Sequence, residues 1–339
     1  MSDAVSSPFD DIRRLITTVP GPDEAAVEAV RMRDRQLTKP AGSLGRLEWI
    51  AEWLAAWQAK PNPSVDRPLV CVFAASHGVT AKGVSAFPSD VNRQMLENFA
   101  AGGAAINQIC AAYGLGFKVF DLAIDMPTGD ITEADAMDEK ACVATMAFGM
   151  EAIAGGTDLL AVGEMGIGNT TVAAALCLGL FGGSAAEWTG PGTGVGGAAL
   201  KAKRQAVASA AARHVGAGDP FEILRRLGGL ELAALTGAVL AARMGRVPVI
   251  LDGYATTAAA AVLYAADPRA LDHCLVAHVS AEPGHRRLLE RIGKQPLFDL
   301  GMRLGEASGA TLAFGVVKAA AACHAGMATF GEAGVSGPA

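Results

Sequence analysis

The hydrophobic positions of this chain form short uninterrupted runs, each followed by a glycine- or acid-containing turn and then by a stretch with helical spacing. An uninterrupted run is typical of a strand that is covered on both faces, as in a parallel sheet with right-handed helical crossovers. The pattern therefore predicts an α/β architecture. The predicted strands are 69–75, 117–123, 159–163, 247–251 and 274–279.

Both ends of the chain have a helical pattern instead. Trp49, Trp53 and Trp57 recur every four residues, which predicts one packed face of a helix. We expect three parts: an N-terminal helical part at 1–60, a large α/β domain at 61–292, and a C-terminal helical part at 293–339 that packs with the first.

Composition narrows the class of function. Of the 339 residues, 51% are hydrophobic and 18% are charged, which excludes a mostly disordered chain. The formal net charge of −6 argues against a nucleic-acid surface, because such a surface needs clustered positive charge. Small-molecule chemistry is the expectation that remains.

Location and metal content are predicted from what the sequence lacks. The uncharged run at 165–186 opens with glycine, asparagine and threonine, so we interpret it as a buried helix and not as a membrane span. The amino terminus shows no secretory signal, which predicts a cytoplasmic protein. The six cysteines form no Cys-x-x-Cys pair and the six histidines form no cluster, so reduced core cysteines and no metal are expected.

Polar and small residues follow four of the predicted strands. Because ligands of such sheets bind at the carboxyl ends of the strands, we expect these segments to line one site. They read SHGV (76–79), GEMGIGNTT (163–171), LDGYATT (251–257) and SAEPGH (280–285).

The segment at 163–171 nearly matches a phosphate-binding loop, but Asn169 occupies the position of the lysine that contacts β- and γ-phosphates. Glycines and free N–H groups at a helix start suit a single phosphate. An ordinary glycine-rich turn with an Asn or Thr cap is the alternative. A second glycine segment, at 190–204, could add Gly192, Thr193 and Gly194, with Lys201 or Lys203 supplying charge.

Four acids adjoin glycines or strand ends and are candidates for proton transfer: Glu164, Asp252, Glu282 and Glu306. For Glu306, a catalytic role competes with that of an ordinary first-turn glutamate favoured by the helix dipole.

Several stretches in order along nearly the whole chain resemble the nicotinate-nucleotide:dimethylbenzimidazole phosphoribosyltransferase family. They are KPAGSLGRLE (39–48), HGVTAKGVSAFPSDVNRQM (77–95), GGAAIN (102–107), GEMGIGNTT, GPGTGV (190–195), LDGYATTAAA (251–260), SAEPGH and RLGEASGA (303–310).

The resemblance implies transfer of 5-phosphoribose from nicotinate mononucleotide to 5,6-dimethylbenzimidazole, without a cofactor, giving nicotinate and α-ribazole 5′-phosphate for the lower ligand of cobalamin. It implies a three-layer α/β/α fold with a mainly parallel sheet, a small helical domain formed by both chain ends, and a homodimer. In this family the glutamate of the RLGEG motif is the general base, which corresponds to Glu306. A single 5′-phosphate at 163–171 would explain the absent lysine.

The resemblance also assigns substrate contacts. Glu164 is implied as an assisting carboxylate near the ribose. Phosphate contacts are implied for Gly168, Asn169, Thr170, Thr171, Thr193, Gly194, Lys203, Gly253 and Ser280, and base contacts for Ser85, Phe87, Gln94 and Met95. The chain departs from the family pattern at Ser76 (Asp is usual), Pro191 (Arg is common) and Ala307 (Gly is usual). Two alternatives stay open: a transferase that uses phosphoribosyl pyrophosphate, and a non-catalytic nucleotide-binding module.

Overall fold

A computed structural model describes residues 7–214 and 216–337. Its centre is one six-stranded sheet with strand order β2-β1-β3-β4-β5-β6, and every neighbouring pair is parallel. The strands are β1 (Pro68–Ala74), β2 (Phe117–Asp121), β3 (Leu159–Met165), β4 (Val249–Leu251), β5 (Cys274–His278) and β6 (Pro296–Phe298).

Helices connect the strands and cover the sheet. They are α1 (Phe9–Thr17), α2 (Glu24–Asp34), α3 (Arg46–Gln58), α4 (Val91–Ala100), α5 (Ala105–Tyr113), α6 (Glu139–Ala152), α7 (Asn169–Phe181), α8 (Ala185–Trp188), α9 (Gly197–Arg213), α10 (Pro220–Leu227), α11 (Leu230–Met244), α12 (Tyr254–Ala266), α13 (Pro283–Arg291), α14 (Ser308–Gly326) and α15 (Phe330–Ala333).

The side chains of the central strands alternate between two hydrophobic layers. In β3, Leu160 and Val162 pack with α7, α11 and α12 on one face of the sheet. Leu159 and Ala161 pack with α3, α5 and α14 on the other face. Burial on both faces explains the uninterrupted apolar runs. The predicted three-layer α/β/α fold with a parallel sheet is confirmed.

All five predicted strands are present, and a sixth was missed. The strand β6 has only three residues, all half-buried at the edge of the sheet, so it carries no long apolar run that could have predicted it.

The two chain ends meet on one side of the sheet, where α3 packs against both α2 and α14. The helix expected around the tryptophans is α3, and Trp53 and Trp57 are buried in it. The prediction of a packed face is wrong for Trp49, whose exposed fraction is 47%. The division of the chain into 1–60, 61–292 and 293–339 stays a prediction.

The uncharged run at 165–186 contains the end of β3, the buried helix α7 and the start of α8. Within residues 7–214 and 216–337, no helix combines the length and hydropathy needed to cross a bilayer. All six cysteines are free; five are buried and Cys323 is half-buried.

Candidate active site

The carboxyl ends of β1, β3, β4 and β5 converge at one edge of the sheet, as the sequence predicted. The segment 163–171 runs from the end of β3 into α7. Its Gly168 is the N-cap of α7, with φ of 89°. A Cβ there would lie 2.7 Å from the Thr80 methyl, so the turn requires glycine for both its conformation and its space.

A small cavity of about 30 Å³ lies at the start of α7, and we call it the helix-start cavity. Lys203 reaches it from α9 and donates a hydrogen bond from Nζ to Thr170 Oγ1 at 2.8 Å. Burial lowers the pKa of Lys203 to about 8, an effect that the nearby Glu282 carboxylate opposes. Six predicted residues line this cavity: Ser85, Gly168, Asn169, Thr170, Thr193 and Lys203.

The second glycine segment is held against the first by two side chains from later loops. Gly192 donates its N–H to Glu282 Oε1 at 2.6 Å, and its carbonyl oxygen accepts from Arg303 Nη1 at 2.8 Å. Burial raises the pKa of Glu282, and Lys203 counteracts this. The loop at 190–194 is therefore tied to the segment that carries Glu306.

A second cavity of about 220 Å³ adjoins the first, and we call it the apolar cavity. Its walls include Phe87, Val91, Met95 and Leu304, while two carboxylates, Glu164 and Glu306, also line it. The two cavities share Gly166, Ile167, Asn169 and Thr193. An apolar pocket with a few polar groups suits a flat aromatic ligand, placed here beside the helix-start cavity.

The backbone around Glu306 is tightly constrained. Glu306 has φ of 61° and Ala307 has φ of 56°, both in the left-handed region. Glu306 donates its N–H to the Glu164 carbonyl at 2.9 Å. A Cβ at Gly163 would overlap the backbone of Ala307, so glycine permits this close approach. Since Ala307 is the N-cap of α14, Glu306 precedes the helix, and the first-turn interpretation is wrong.

Burial has the largest effect on the pKa values of Glu306 and Glu164. It raises the pKa of Glu306 to about 7. The pKa of Glu164 is raised well above its usual range, first by burial and then by the nearby Glu231 and Asp252 carboxylates. Asn169 Nδ2 donates to Glu164 Oε2, which opposes that rise. Burial therefore favours the neutral form of both carboxyl groups, and Glu306 ionises only as pH rises through about 7.

Asp252 has a supporting position. Its Oδ1 accepts the N–H of Ala310 at 2.9 Å, so it binds the first turn of α14 from the end of β4. Burial raises the pKa of Asp252 to about 7, and the backbone hydrogen bonds oppose this. It lines neither cavity.

Some predicted residues lie elsewhere. Gln94 lines a different cavity of about 480 Å³ on the other side of α4, whereas Met95 faces the apolar cavity. Ser85 lies at the helix-start cavity and not among the apolar walls. Thr171 is fully buried, and its hydroxyl finds no partner among the described residues. Gly194, Gly253 and Ser280 belong to the surrounding loops and line neither cavity.

Sequence reasoning missed three contributors to this site. Arg303 lies within RLGEASGA, where the sequence pattern indicated no role for it. His77 Nε2 and Glu231 Oε1 form a buried contact of 2.7 Å beneath Gly166. The histidine could have been found, because it follows β1 within the segment SHGV, but nothing near Glu231 indicated a buried carboxylate.

Comparisons with known proteins agree with this geometry. A family model described as a phosphoribosyltransferase matches residues 19–335. A nicotinate-nucleotide–dimethylbenzimidazole phosphoribosyltransferase of Sinorhizobium medicae is 67% identical over 330 residues, covering 97% of each chain. The enzyme of the same name from Brucella anthropi is 66% identical, covering 97% of this chain and 98% of its own. The crystal structure of CobT from Thermus thermophilus superposes with a TM-score of 0.86 at 43% identity, covering 93% of this chain and 100% of that chain.

Proposed function

The chain belongs to the nicotinate-nucleotide–dimethylbenzimidazole phosphoribosyltransferase family, and from this premise we propose how its site performs that reaction. The enzyme transfers 5-phosphoribose from nicotinate mononucleotide to 5,6-dimethylbenzimidazole, giving nicotinate and α-ribazole 5′-phosphate for the lower ligand of cobalamin. The observation that carries the proposal is the placement of Glu306 in the wall of an apolar cavity that shares residues with the helix-start cavity.

In this proposal the 5′-phosphate binds at the start of α7. Backbone N–H groups at a helix start and the Lys203 ammonium favour an anion there. The dimethylbenzimidazole ring lies in the apolar cavity against Phe87 and Met95. Thr193 lines both cavities and is therefore placed near the ribose that joins them.

The bond changes need one base and no acid. A benzimidazole nitrogen attacks the anomeric carbon from the face opposite to nicotinate, which inverts that carbon. The breaking glycosidic bond leaves its electron pair on the pyridine nitrogen, so nicotinate departs with a neutral ring and needs no proton. Once the new bond forms, the other benzimidazole N–H becomes acidic, and the Glu306 carboxylate accepts its proton.

Glu164 assists by staying neutral. Burial and the neighbouring Glu231 and Asp252 carboxylates raise the pKa of Glu164 well above its usual range, which favours its neutral form. Two adjacent carboxylates would repel each other if both were ionised, and the neutral Glu164 removes that repulsion from the working state of Glu306.

The two alternatives are not favoured. Relatives at 66–67% identity over nearly the full chain carry the name of this transferase, not that of a binding module or of an enzyme using phosphoribosyl pyrophosphate. We also propose a cytoplasmic homodimer that binds no nucleic acid. The net charge of −6 supports the last point. Light scattering on the purified protein tests the homodimer.

The direct test of the function is product analysis. Purified protein is incubated with nicotinate mononucleotide and 5,6-dimethylbenzimidazole, and the mixture is separated by chromatography with mass detection. Equal amounts of nicotinate and α-ribazole 5′-phosphate are expected. Binding of the nucleotide without any turnover would contradict the proposal and favour a binding module.

A further inference from the structure

Asn92 has no role in the chemistry proposed above, and together with Ser76 it lines the cavity of about 480 Å³ on the other side of α4. It belongs to the first turn of α4 and is 1% exposed. Its Oδ1 accepts the backbone N–H of Ile167 at 2.8 Å. Ile167 is the residue between Gly166 and Gly168, and it lines both cavities. One buried side chain from another helix therefore holds one of the four residues that line both cavities.

The orientation of the Asn92 amide is determined by its surroundings. Nδ2 donates to Ser76 Oγ at 2.8 Å, and Ser76 Oγ donates in turn to the Ile124 carbonyl at 2.6 Å. Since a backbone N–H only donates, it must face the amide oxygen, and the Ser76 lone pair then receives the amide N–H. The result is a chain of three hydrogen bonds among buried groups, running from Ile167 to Ile124.

The same turn of α4 forms a wall of the apolar cavity. Val91 and Met95 are four residues apart on α4 and both line that cavity. Asn92 is next to Val91, so its hydrogen bond with Ile167 connects this wall to the segment that leads into α7. An Ile167 without this bond would sit in a loop between two glycines, whose backbone is conformationally permissive.

We propose that Asn92 is a positioning residue that fixes Ile167, and with it the boundary between the apolar and helix-start cavities, so that binding at both depends on it. The identity of the two ligands rests on the proposed function. Ser76, where the family pattern has Asp, serves as the acceptor that orients the Asn92 amide. If Asn92 did not hold Ile167, the position of Ile167 would change, and the volumes of both cavities would change with it.

The first measurement needs no variant. Hydrogen exchange of the wild-type protein, followed by NMR or by mass spectrometry with residue resolution, should show a protected Ile167 amide, because a buried and bonded amide exchanges only after local opening. Exchange of this amide at the rate of an open loop would overturn the proposal.

The second measurement uses Asn92→Leu, which keeps the side-chain shape and removes the acceptor. Calorimetry should show dissociation constants for both nicotinate mononucleotide and 5,6-dimethylbenzimidazole raised about 10-fold, on the scale of one lost buried hydrogen bond. Ile167 exchange should accelerate in parallel. If Asn92→Leu does not fold, as judged by circular dichroism, Asn92→Ala is measured with the same expectation.

The matched control is Asn92→Asp, whose carboxyl group, kept neutral by burial, still accepts from Ile167 with one oxygen and still donates its O–H to Ser76, so that Ser76 keeps its bond to Ile124. Both affinities and the exchange protection should stay within about 3-fold of wild type. A merely structural role predicts the opposite pattern: a lower melting temperature for Asn92→Leu with unchanged affinities, which would overturn the proposal. Binding and exchange report on Asn92 even if no product forms, so failure of the proposed function is seen separately in the product assay.

Discussion

Two buried side chains of opposite charge set the protonation state in which the site works. Glu306 must be ionised to accept a proton, and burial raises its pKa to about 7. Lys203 must be protonated to attract a phosphate, and burial lowers its pKa to about 8. Both shifts have the same cause, because a buried site disfavours the charged form of either group. The working pH range is consequently narrow.

We predict a bell-shaped profile of kcat/KM against pH. Activity should be lost as pH falls below about 7, where Glu306 is protonated, and again as pH rises above about 8, where Lys203 becomes neutral. The measurement is kcat/KM for nicotinate mononucleotide from pH 5.5 to 9.5, a range that extends about 1.5 pH units beyond the pKa values of Glu306 and Lys203. In Lys203→Arg the alkaline limb should disappear, since arginine keeps its charge. If kcat/KM of the wild type did not fall above about pH 8, the Lys203 ammonium group would not be needed to bind the phosphate.

Thr170 and Thr171 provide a matched pair at the helix start. Thr170 Oγ1 lines the helix-start cavity and accepts the Lys203 hydrogen bond, whereas the Thr171 side chain is buried away from it. Thr170→Val should weaken nicotinate mononucleotide binding about 10-fold in calorimetry, because it removes a hydroxyl that orients a charged donor. Thr171→Val should leave affinity unchanged, and equal losses in both variants would contradict this assignment.

At the scale of the elements, the apolar runs predicted the strands because both faces of the sheet are covered, but they could not give side-chain directions in the loops. Gln94 and Met95 are neighbours in sequence, yet one step along a helix turns a side chain by about 100°, so they face different cavities. The position of Glu306 ahead of α14 likewise depends on positive φ angles at two non-glycine residues, which composition does not reveal. The motif located Glu306, and only the structure gave its environment.

The contact between β3 and the loop before α14 leads to a prediction about backbone approach. Gly163→Ala would place a methyl group into the Ala307 backbone, which cannot yield as a flexible side chain would. We expect turnover to fall at least about 10-fold because Glu306 is displaced, since small misplacements of catalytic groups are costly. Gly155→Ala is the control, because a Cβ there meets nothing within 4 Å. Similar activity in both variants would refute the close-approach argument.

At the scale of the whole molecule, the sheet brings together segments that are far apart in sequence. The helix-start cavity combines α7 with Lys203 from α9, and the apolar cavity combines the α4 turn with the loop before α14. Length, composition and strand pattern predicted the α/β class, and the ordered motifs predicted the family. The hydrogen bonds between loops, such as the one from Arg303 to Gly192, depend on three-dimensional proximity that cannot be deduced from one sequence.

We predict that turnover is independent of divalent metal. The leaving nicotinate is neutral at its ring nitrogen and needs no Lewis acid. Activity after EDTA treatment and desalting should equal that of the untreated protein, measured as nicotinate release. Loss of activity that Mg²⁺ restores would instead indicate chemistry of the phosphoribosyl pyrophosphate type.

The most direct test of the central claim is single-turnover product formation by Glu306→Gln with saturating 5,6-dimethylbenzimidazole. Glutamine keeps the size of the side chain but cannot accept the proton, so the rate of α-ribazole 5′-phosphate formation should fall about 100-fold or more. Affinities for both substrates, measured by calorimetry, should change little. A rate within a few-fold of wild type would show that Glu306 is not the base and would contradict the proposed mechanism.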